Sequence, residues 1–508
     1  MQHVNPRYLP SLSCGYTQSG QIILRDGTTA AIRPAVPTDH AALQSFVERL
    51  APESRRHRFF SAASPRSEII ASLCDSAAPC TRLTLVVTRV WDGALRIIAT
   101  GSYLARDERT AEIAMAVDDA FHGKGLGTLL LERLALSAIQ RGFVRLWAVT
   151  HPDNLAMREV FRESGFDMRE SCEGGEVEVE LSLIPTETTL ARSELRDRIA
   201  TTASLHPFFH PRAVAVIGAS RDPRSIGYRL VGALTGNRFH GAIYPVNPRA
   251  AEIAGLPVYP SLAAVPGSVD LAIIAVPRDL VLAMVDECAA KGVRAIVVIT
   301  AGFAETGAEG KQLQDRLVEK VRQQGMRMIG PNCFGLLNTD PAVCLNATFT
   351  STFPPPGRVA MSSQSGALGL AILAAAQRLQ LGISSFVSVG NKGDVSGNDL
   401  LQYWEEDPAT HVILLYLESF GNPRRFARIA RRVSRCKPIV AVKAGRSQSG
   451  LRAAGSHTAA LAASDVKEKL KAQGVDPVGS APEELVNHQK QETVKWGKVI
   501  REAKITVE

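Results

Sequence analysis

Eight cysteines are scattered through 508 residues, with no Cys-x-x-Cys pair and no His/Cys group at metal-ligand spacing. That scarcity excludes a disulfide scaffold, argues against structural zinc or another bound metal, and fits a reducing cytoplasm. Long apolar runs are also missing, since none reaches about 18 residues. The first residues, MQHVNPRYLPSLSCG, hold no basic stretch leading into an apolar core. Neither secretion nor membrane spanning is expected. Charge of one sign is scarce as well: Lys+Arg 58 against Asp+Glu 50 leaves +8 spread along the chain. A nucleic-acid partner needs a concentrated basic stripe, and there is none. The densest basic run, Arg424 to Arg435, carries Phe426, Ile429, Ala430 and Val433 at helical spacing and reads as a solvated helix face.

What is present is richer. The length predicts three or four domains. In AMAVDDAFHGKGLGTLL, around Met115–Leu130, an apolar strand enters a loop with glycines at 123, 125 and 127 and then an apolar helix. Such glycines let backbone N–H groups close on a phosphate at a helix N-terminus, where unpaired donors and partial positive charge favour an anion. Upstream, Glu112 stands in the strand TAEIAMAV. Downstream, the strand VRLWAVT leads to NLAMREVFRESGF, with Asn154, Met157, Gly165 and Phe166 in order.

Over residues 22–184 the chain resembles the GNAT family of acyl-CoA-dependent N-acyltransferases. The resemblance implies that amides across His122, Gly123, Lys124, Gly125, Gly127 and Thr128 hold the pyrophosphate of acetyl-CoA. Met115 and Val117 lie on the splayed strand that pairs with pantetheine, and Asn154 orients the CoA side of the cleft. Glu112 becomes the general base that takes a proton from the attacking amine. Phe161 stands where many relatives have a tyrosine that protonates the leaving thiolate, and His122 where they usually have Gln or Arg. The acceptor cleft falls to Ser54–Ser76.

The rest reads as further α/β structure. TAAIRPAV predicts a strand, and Thr38-Asp39 can cap the helix that follows through Leu50. LTLVVTRV and RIIATGSYLARD predict strands joined by a Trp91-Asp92-Gly93 hairpin. Residues 185–205 are charged and read as a linker or connecting helix. From Pro207, the apolar runs AVAVIG, AIYPVN, LAIIAV, AIVVIT and RMIGPN alternate with helices and predict a parallel sheet covered on both faces. A second such unit, from Cys333, holds VAMSSQSGALG, SSFVSVG, HVILLYLE and PIVAVKAG. Gly218 closes the first of these strands before a helix near Ser225, where a doubly wound sheet receives a nucleotide phosphate. The pattern G-x-G-x-x-G is not met, which counts against a nicotinamide cofactor.

YPVNP at 244–248, TAGFAE at 300–305, GPNCFG at 330–335, SQSG at 363–366, GN at 390–391 with Asp394 and Asp399, and KAGRS at 443–447 follow in order. In this order they resemble the CoA-binding and ligase domains of nucleoside-diphosphate-forming acyl-CoA synthetases. The expected architecture is thus a GNAT mixed α/β domain (22–184), a linker (185–205), a Rossmann-like CoA-binding domain (206–332) and a flavodoxin-like, succinyl-CoA synthetase-like domain (333–465). The resemblance assigns the CoA phosphates to Gly218, Ala219, Ser220, Arg221 and Asp222, with Arg249 as a fixed cation. It makes His457 the phosphorylated histidine and Glu418 the carboxylate orienting its imidazole. Ala459 replaces the glycine of the family's His-Thr-Gly.

Such ligases phosphorylate their histidine with an ATP-grasp domain, for which the 43 residues after Asp465 leave no room. Residues 466–508 instead resemble the C-terminal end of Bug-type solute receptors and read as a foreign or truncated tail. A GNAT module joined to a ligase-like module resembles bacterial protein lysine acetyltransferases, although there GNAT usually comes last. The function expected is therefore acyl-CoA-dependent N-acetylation of a protein lysine or small amine, with an idle, CoA-sensing synthetase half and a possible homo-oligomer. The rival is the CoA-transferring half of an ADP-forming acetate–CoA ligase that recruits a separate ATP-grasp subunit. A third reading is a non-catalytic CoA sensor.

Overall fold

The computed structural model describes residues 20–75, 81–184 and 186–443. The first domain holds β1 (Gly20–Ile23), β2 (Thr29–Pro34), α1 (His40–Arg49), α2 (Pro52–Phe59), α3 (Ser67–Cys74), β3 (Arg82–Trp91), β4 (Ala94–Ala105), β5 (Thr110–Val117), α4 (Leu126–Gln140), β6 (Arg145–Thr150), α5 (Leu155–Glu163), β7 (Asp167–Glu173) and β8 (Glu176–Ser182). Its sheet runs β1-β2-β3-β4-β5-β6-β8-β7, antiparallel except between β5 and β6. Alternation along β4 and β5 sends Tyr103, Ile113 and Met115 to the α4 side, while Ile97 and Ala116 meet Leu43 and Phe46 of α1 and Ile70 of α3. The β3–β4 hairpin turns at Asp92 and Gly93, both at positive φ, as expected. Asp39 does not cap α1 with its side chain. Its carboxylate instead takes two Arg33 donors and the Val36 amide.

The expected linker is one helix, α6 (Glu187–Phe209), started by the Thr186 cap. Its last turn buries Leu205, Phe208 and Phe209 in the core of the following domains, so it is a structural strut rather than a tether. Next come β9 (Ala213–Ile217), α7 (Ile226–Gly236), β10 (Ala242–Val246), the small hairpin β11 (Glu252–Ile253) and β12 (Leu256–Pro257), β13 (Leu271–Ile274), α8 (Val281–Ala290), β14 (Ala295–Val298), α9 (Ala308–Gln323) and β15 (Arg327–Ile329). The sheet order is β10-β9-β13-β14-β15, all parallel. β9, β13, β14 and β15 are buried at every residue, which explains their unbroken apolar runs. The order reverses at β9, which places a crevice at the carboxyl ends of β9 and β13.

The third domain contains β16 (Gly335–Asn338), β17 (Leu345–Thr348), β18 (Pro356–Ser363), α10 (Gly366–Arg378), β19 (Ile383–Ser388), α11 (Gly397–Glu406), β20 (Val412–Leu417), α12 (Pro423–Val433) and β21 (Ile439–Lys443). Its sheet runs β17-β16-β19-β18-β20-β21. The four expected strands β18 to β21 are mutually parallel, and β16–β17 adds an antiparallel hairpin at one edge that the sequence pattern did not reveal. Among the described residues no helix is long and apolar enough to cross a membrane.

The domains are joined by charge as well as by apolar contact. Arg327 on β15 is buried, and its Nε donates to Asp394 at 2.8 Å and its Nη1 to Ser204 of α6 at 2.7 Å; Asp399 lies 3.7 Å from Nη2. Burial opposes the guanidinium charge, but Asp394 and Asp399 outweigh it and hold Arg327 above its ordinary value. The basic run of α12 is not merely a solvated face. Arg425 pairs with Asp197, Arg428 and Arg432 with Glu194, and Arg432 with Glu405, so three of its arginines fasten α12 to α6 and α11. The sequence alone could not place those acids opposite them. Asp394→Ala leaves Arg327 buried without its nearest counter-charge and is expected to destabilise the chain by about 3–5 kcal/mol, read by chemical denaturation.

Candidate functional site

In the first domain, β5 and β6 pair only at Thr110–Arg145, Ala111–Leu146 and Glu112–Trp147. Beyond that, residues 113–117 pair with β4 alone and residues 148–150 with β8 alone. Among the described residues, the facing edges of the two strands have no ladder partner beyond this point and diverge into a wedge. Met115 and Val117 lie on this edge, with the Met115 side chain in the core beneath it. The loop that follows positions Gly123 (φ 73°) and Gly125 (φ 81°) in the left-handed region and opens α4 at Leu126. The amides of Leu126, Gly127 and Thr128 are the first of a 15-residue helix and have no acceptor within it. A Cβ on Gly127 would stand 3.2 Å from Val160 of α5, so glycine brings the two helices together.

The other residues read from the sequence take varied places. His122 is exposed and its Nε2 bonds the Val117 carbonyl at 3.0 Å. Lys124 is turned to Asp26, 3.2 Å away. Asn154 caps α5: its Oδ1 accepts the Met157 amide and its Nδ2 donates to Thr150, which leaves its amide engaged by the protein rather than by the cleft. Phe161 is buried in the core. Glu112 is exposed at the last paired position before the wedge. Across from it stands Arg58 of α2, which sequence reasoning missed. Burial draws this guanidinium down to about 10, offset in part by Glu112, and its Nη2 donates to Ser102 at 3.3 Å. The stretch read as acceptor loops is largely α2 and α3. Nearby, Glu53, His57 and Asp153 bring ligand-type atoms together, but Asp153 already pairs with Arg56 at 2.5 Å.

In the second domain, Gly218 (φ 91°) follows β9, and Ser225 caps α7 through the Tyr228 amide. A Cβ on Gly218 would lie 2.5 Å from the Ala275 carbonyl, and one on Gly227 2.1 Å from the Gly218 carbonyl. Both glycines thus let backbone meet backbone at the crevice. Ala219 is buried, and its carbonyl accepts from Asn247 at 2.6 Å; Asn247 also accepts the Arg249 amide, which sets Arg249 beside the loop. Ser220 accepts the Asp222 amide, and Asp222 accepts from Arg224, while Arg221 is exposed.

At the carboxyl ends of the third sheet, three motifs distant in sequence converge. Gln364 accepts the amides of Glu418 at 2.6 Å and Ser419 at 2.8 Å. Ser365 caps α10 through the Leu368 amide. Asn391 accepts from Asn332 of GPNCFG and donates to Glu305 of TAGFAE, which carries the contact across the domain boundary. Gly390 (φ 52°) has room for no Cβ, because the Asn332 carbonyl would lie 2.4 Å away. Lys392, also missed from the sequence, has φ 54° and donates to the carbonyl and hydroxyl of Ser419. Burial pulls its ammonium down to about 8, with Glu418 opposing the shift and Lys443 adding to it. His457, Ala459 and the segment 466–508 lie outside the described residues.

Comparison with known proteins fits this three-part arrangement. Residues 50–166 match the acetyltransferase (GNAT) family, 212–339 the CoA binding domain, and 356–484 the succinyl-CoA ligase like flavodoxin domain. The chain thus joins a GNAT domain to CoA-binding and succinyl-CoA ligase-like domains of mixed α/β fold. The last match passes Asp465, the boundary read from the sequence, and these matches lend no support to a solute-receptor tail. Half of the chain is similar to the alpha subunit of ADP-forming acetate–CoA ligase II from Pyrococcus furiosus, 48% identical over 257 residues, covering 51% of this chain and 55% of that one. It is also similar to ADP-forming acetate–CoA ligase I from Archaeoglobus fulgidus, 47% identical over 256 residues, covering 50% of this chain and 37% of the relative. A solved dinucleotide forming acetyl-coenzyme A synthetase 1 from Ca. Korarchaeum cryptofilum is 45% identical, with 55% of this chain and 60% of that chain covered at a TM-score of 0.48. The chain therefore spans only about a third to three fifths of these relatives.

The Gly218–Gly227 contact sets the second-domain loop. Gly227→Ala is expected to cost about 1–3 kcal/mol through forced displacement of that loop and to weaken CoA binding, read together by thermal unfolding and calorimetric titration with CoA.

Proposed function

We propose that residues 206–465 form the CoA- and phosphate-handling half of an ADP-forming acyl-CoA ligase, working with a separate ATP-grasp subunit. The observation that carries this reading is the convergence of Gln364, Glu418, Lys392 and the start of α10 at the carboxyl ends of β18, β19 and β20, linked through Asn391 to the CoA-binding domain. The reaction that fits is attack of a phosphate oxygen on the thioester carbonyl. The C–S bond breaks, CoA leaves as its thiol, and an acyl phosphate forms. The His457 imidazole then attacks phosphorus and releases the carboxylate, which leaves phosphohistidine for the partner subunit. Glu418 orients the imidazole, the Lys392 ammonium offsets phosphate charge, and the α10 amides receive the anion. The relative from P. furiosus is itself an alpha subunit, which supports a partner of this kind.

Isotopically labelled phosphate mixed with the chain and acetyl-CoA, without nucleotide, is expected to label the protein in an acid-labile, base-stable linkage. His457→Ala should abolish the label, and Glu418→Gln should slow it by about 10²-fold or more through loss of tautomer control. Labelling that needs no acetyl-CoA, or that survives His457→Ala, sinks the reading. Because Lys392 is cationic below its value of about 8 and neutral above it, labelling should fall as pH rises through about 8. Lys392→Arg, which stays charged, should remove that decline in the pH profile.

The divergence of β5 and β6 beside a glycine-rich helix start favours a second activity in the same chain, acyl transfer from acyl-CoA to an amine. A protein lysine and a small amine are both open as acceptors. Glu112→Gln should lower amine acetylation by about 10²-fold or more near neutral pH, measured by mass spectrometry of a protein extract and a panel of amines given acetyl-CoA. CoA binding at this loop with no Glu112-dependent transfer would leave the domain a sensor.

A further inference from the structure

The β1–β2 turn touches three bodies at once. Gly27 (φ 80°) packs so closely on α6 that a Cβ would lie 2.5 Å from the Ala203 backbone. Thr29 donates its amide to the Gly325 carbonyl and its hydroxyl to Arg322 and Met326, all in the CoA-binding domain, and Arg294 of that domain donates to the Asp26 carbonyl. On its other side the turn meets the glycine-rich loop: the Arg25 amide donates to the Lys124 carbonyl at 3.1 Å, and the Lys124 ammonium lies 3.2 Å from the Asp26 carboxylate.

That carboxylate is itself fixed. Its Oδ1 accepts the Thr28 hydroxyl at 2.6 Å and the Thr28 amide at 3.0 Å, and the Thr28 hydroxyl accepts from Arg89 at 2.9 Å. The Arg294 carbonyl in turn accepts the amide of Arg327, the residue that holds Asp394 and Asp399 of the third domain. A contiguous run of bonds therefore leads from the third domain to the only lysine of the glycine-rich loop.

We propose that Asp26 is a positioning residue that restrains Lys124, so that the CoA-binding domain, through Arg294, sets the acyl-CoA affinity of the GNAT loop. An ammonium in an anion-binding loop is drawn to a bound diphosphate, and Asp26 competes with that anion for it. Acyl-CoA binding at this loop must break or share the ion pair, and a firmer grip on the turn lowers the affinity. Coupling of this kind rests on differential interaction with two arrangements of one element, here Lys124 on Asp26 and Lys124 on phosphate. The proposal rests on the reading of this loop as an acyl-CoA site.

The experiment uses the full chain and CoA itself, with deuterium exchange of the peptide covering residues 118–130 followed against CoA concentration. That readout separates this loop from the second CoA-binding domain. Asp26→Asn is expected to lower the CoA midpoint about five-fold or more, Lys124→Ala to raise it, and Asp26→Asn in the Lys124→Ala background to have no effect. Asp26→Glu should restore the original midpoint, and Arg294→Ala should move it in the same direction as Asp26→Asn. Tighter binding cannot come from misfolding, so the sign itself is the test. An unchanged midpoint in Asp26→Asn while Lys124→Ala still weakens binding overturns the proposal alone. Failure of CoA to protect residues 118–130 in the unsubstituted chain overturns the acyl-CoA reading of the loop and the proposal with it.

Discussion

One buried guanidinium organises the molecule. Arg327 sits at the end strand of the CoA-binding sheet and is nearly inaccessible, yet it is answered on three sides by Asp394, Asp399 and Ser204. A charge in that position is tolerated only when it is paired and hydrogen-bonded, and here the partners come from the ligase-like domain and from α6. The consequence is geometric. With Arg327 in place, the two sheets and the strut that leads to the GNAT domain have one arrangement. Asn332, Asn391 and Glu305 then meet across the domain boundary at the sheets' carboxyl ends.

The two glycine-rich loops are shaped by different means. The GNAT loop relies on left-handed glycines and free amides at the start of α4, beside a wedge left by two parting strands. The CoA-binding crevice relies on close approach, where Gly218 and Gly227 bring strand, loop and helix backbone into contact that no Cβ would permit. At the carboxyl end of the third sheet, burial lowers the ammonium of the half-buried Lys392 to about 8.

Much of this was legible in the residue order. Strands β9, β13, β14 and β15 announced themselves as unbroken apolar runs because both their faces are covered, and the Asp92-Gly93 turn because L-residues seldom accept its backbone angles. Gly123, Gly125 and Gly218, all at positive φ, were readable for the same reason. Less visible were residues whose role depends on a neighbour far away in sequence. Arg58 matters because α2 lays it near Glu112, and Asn247 because β10 delivers it to Ala219. The arginines of α12 looked like a solvated face, yet the acids of α6 and α11 opposite them turn that face into an interface. The β16–β17 hairpin was hidden because short edge strands carry too few residues for a clear alternation.

The features readable in the residue order are local: the period of each apolar run, the glycines that only left-handed or crowded backbone demands, and the order of motifs along three α/β units. Those features follow from steric and solvation rules that act within a few residues. Which groups meet across long stretches of chain emerges only in the closed fold: Arg327 with its two aspartates, Gln364 with the amide of Glu418, and Lys124 with Asp26. Electrostatic pairing and desolvation act through space, and the partners, up to 98 residues apart in the last pair, become neighbours only when the sheets have closed.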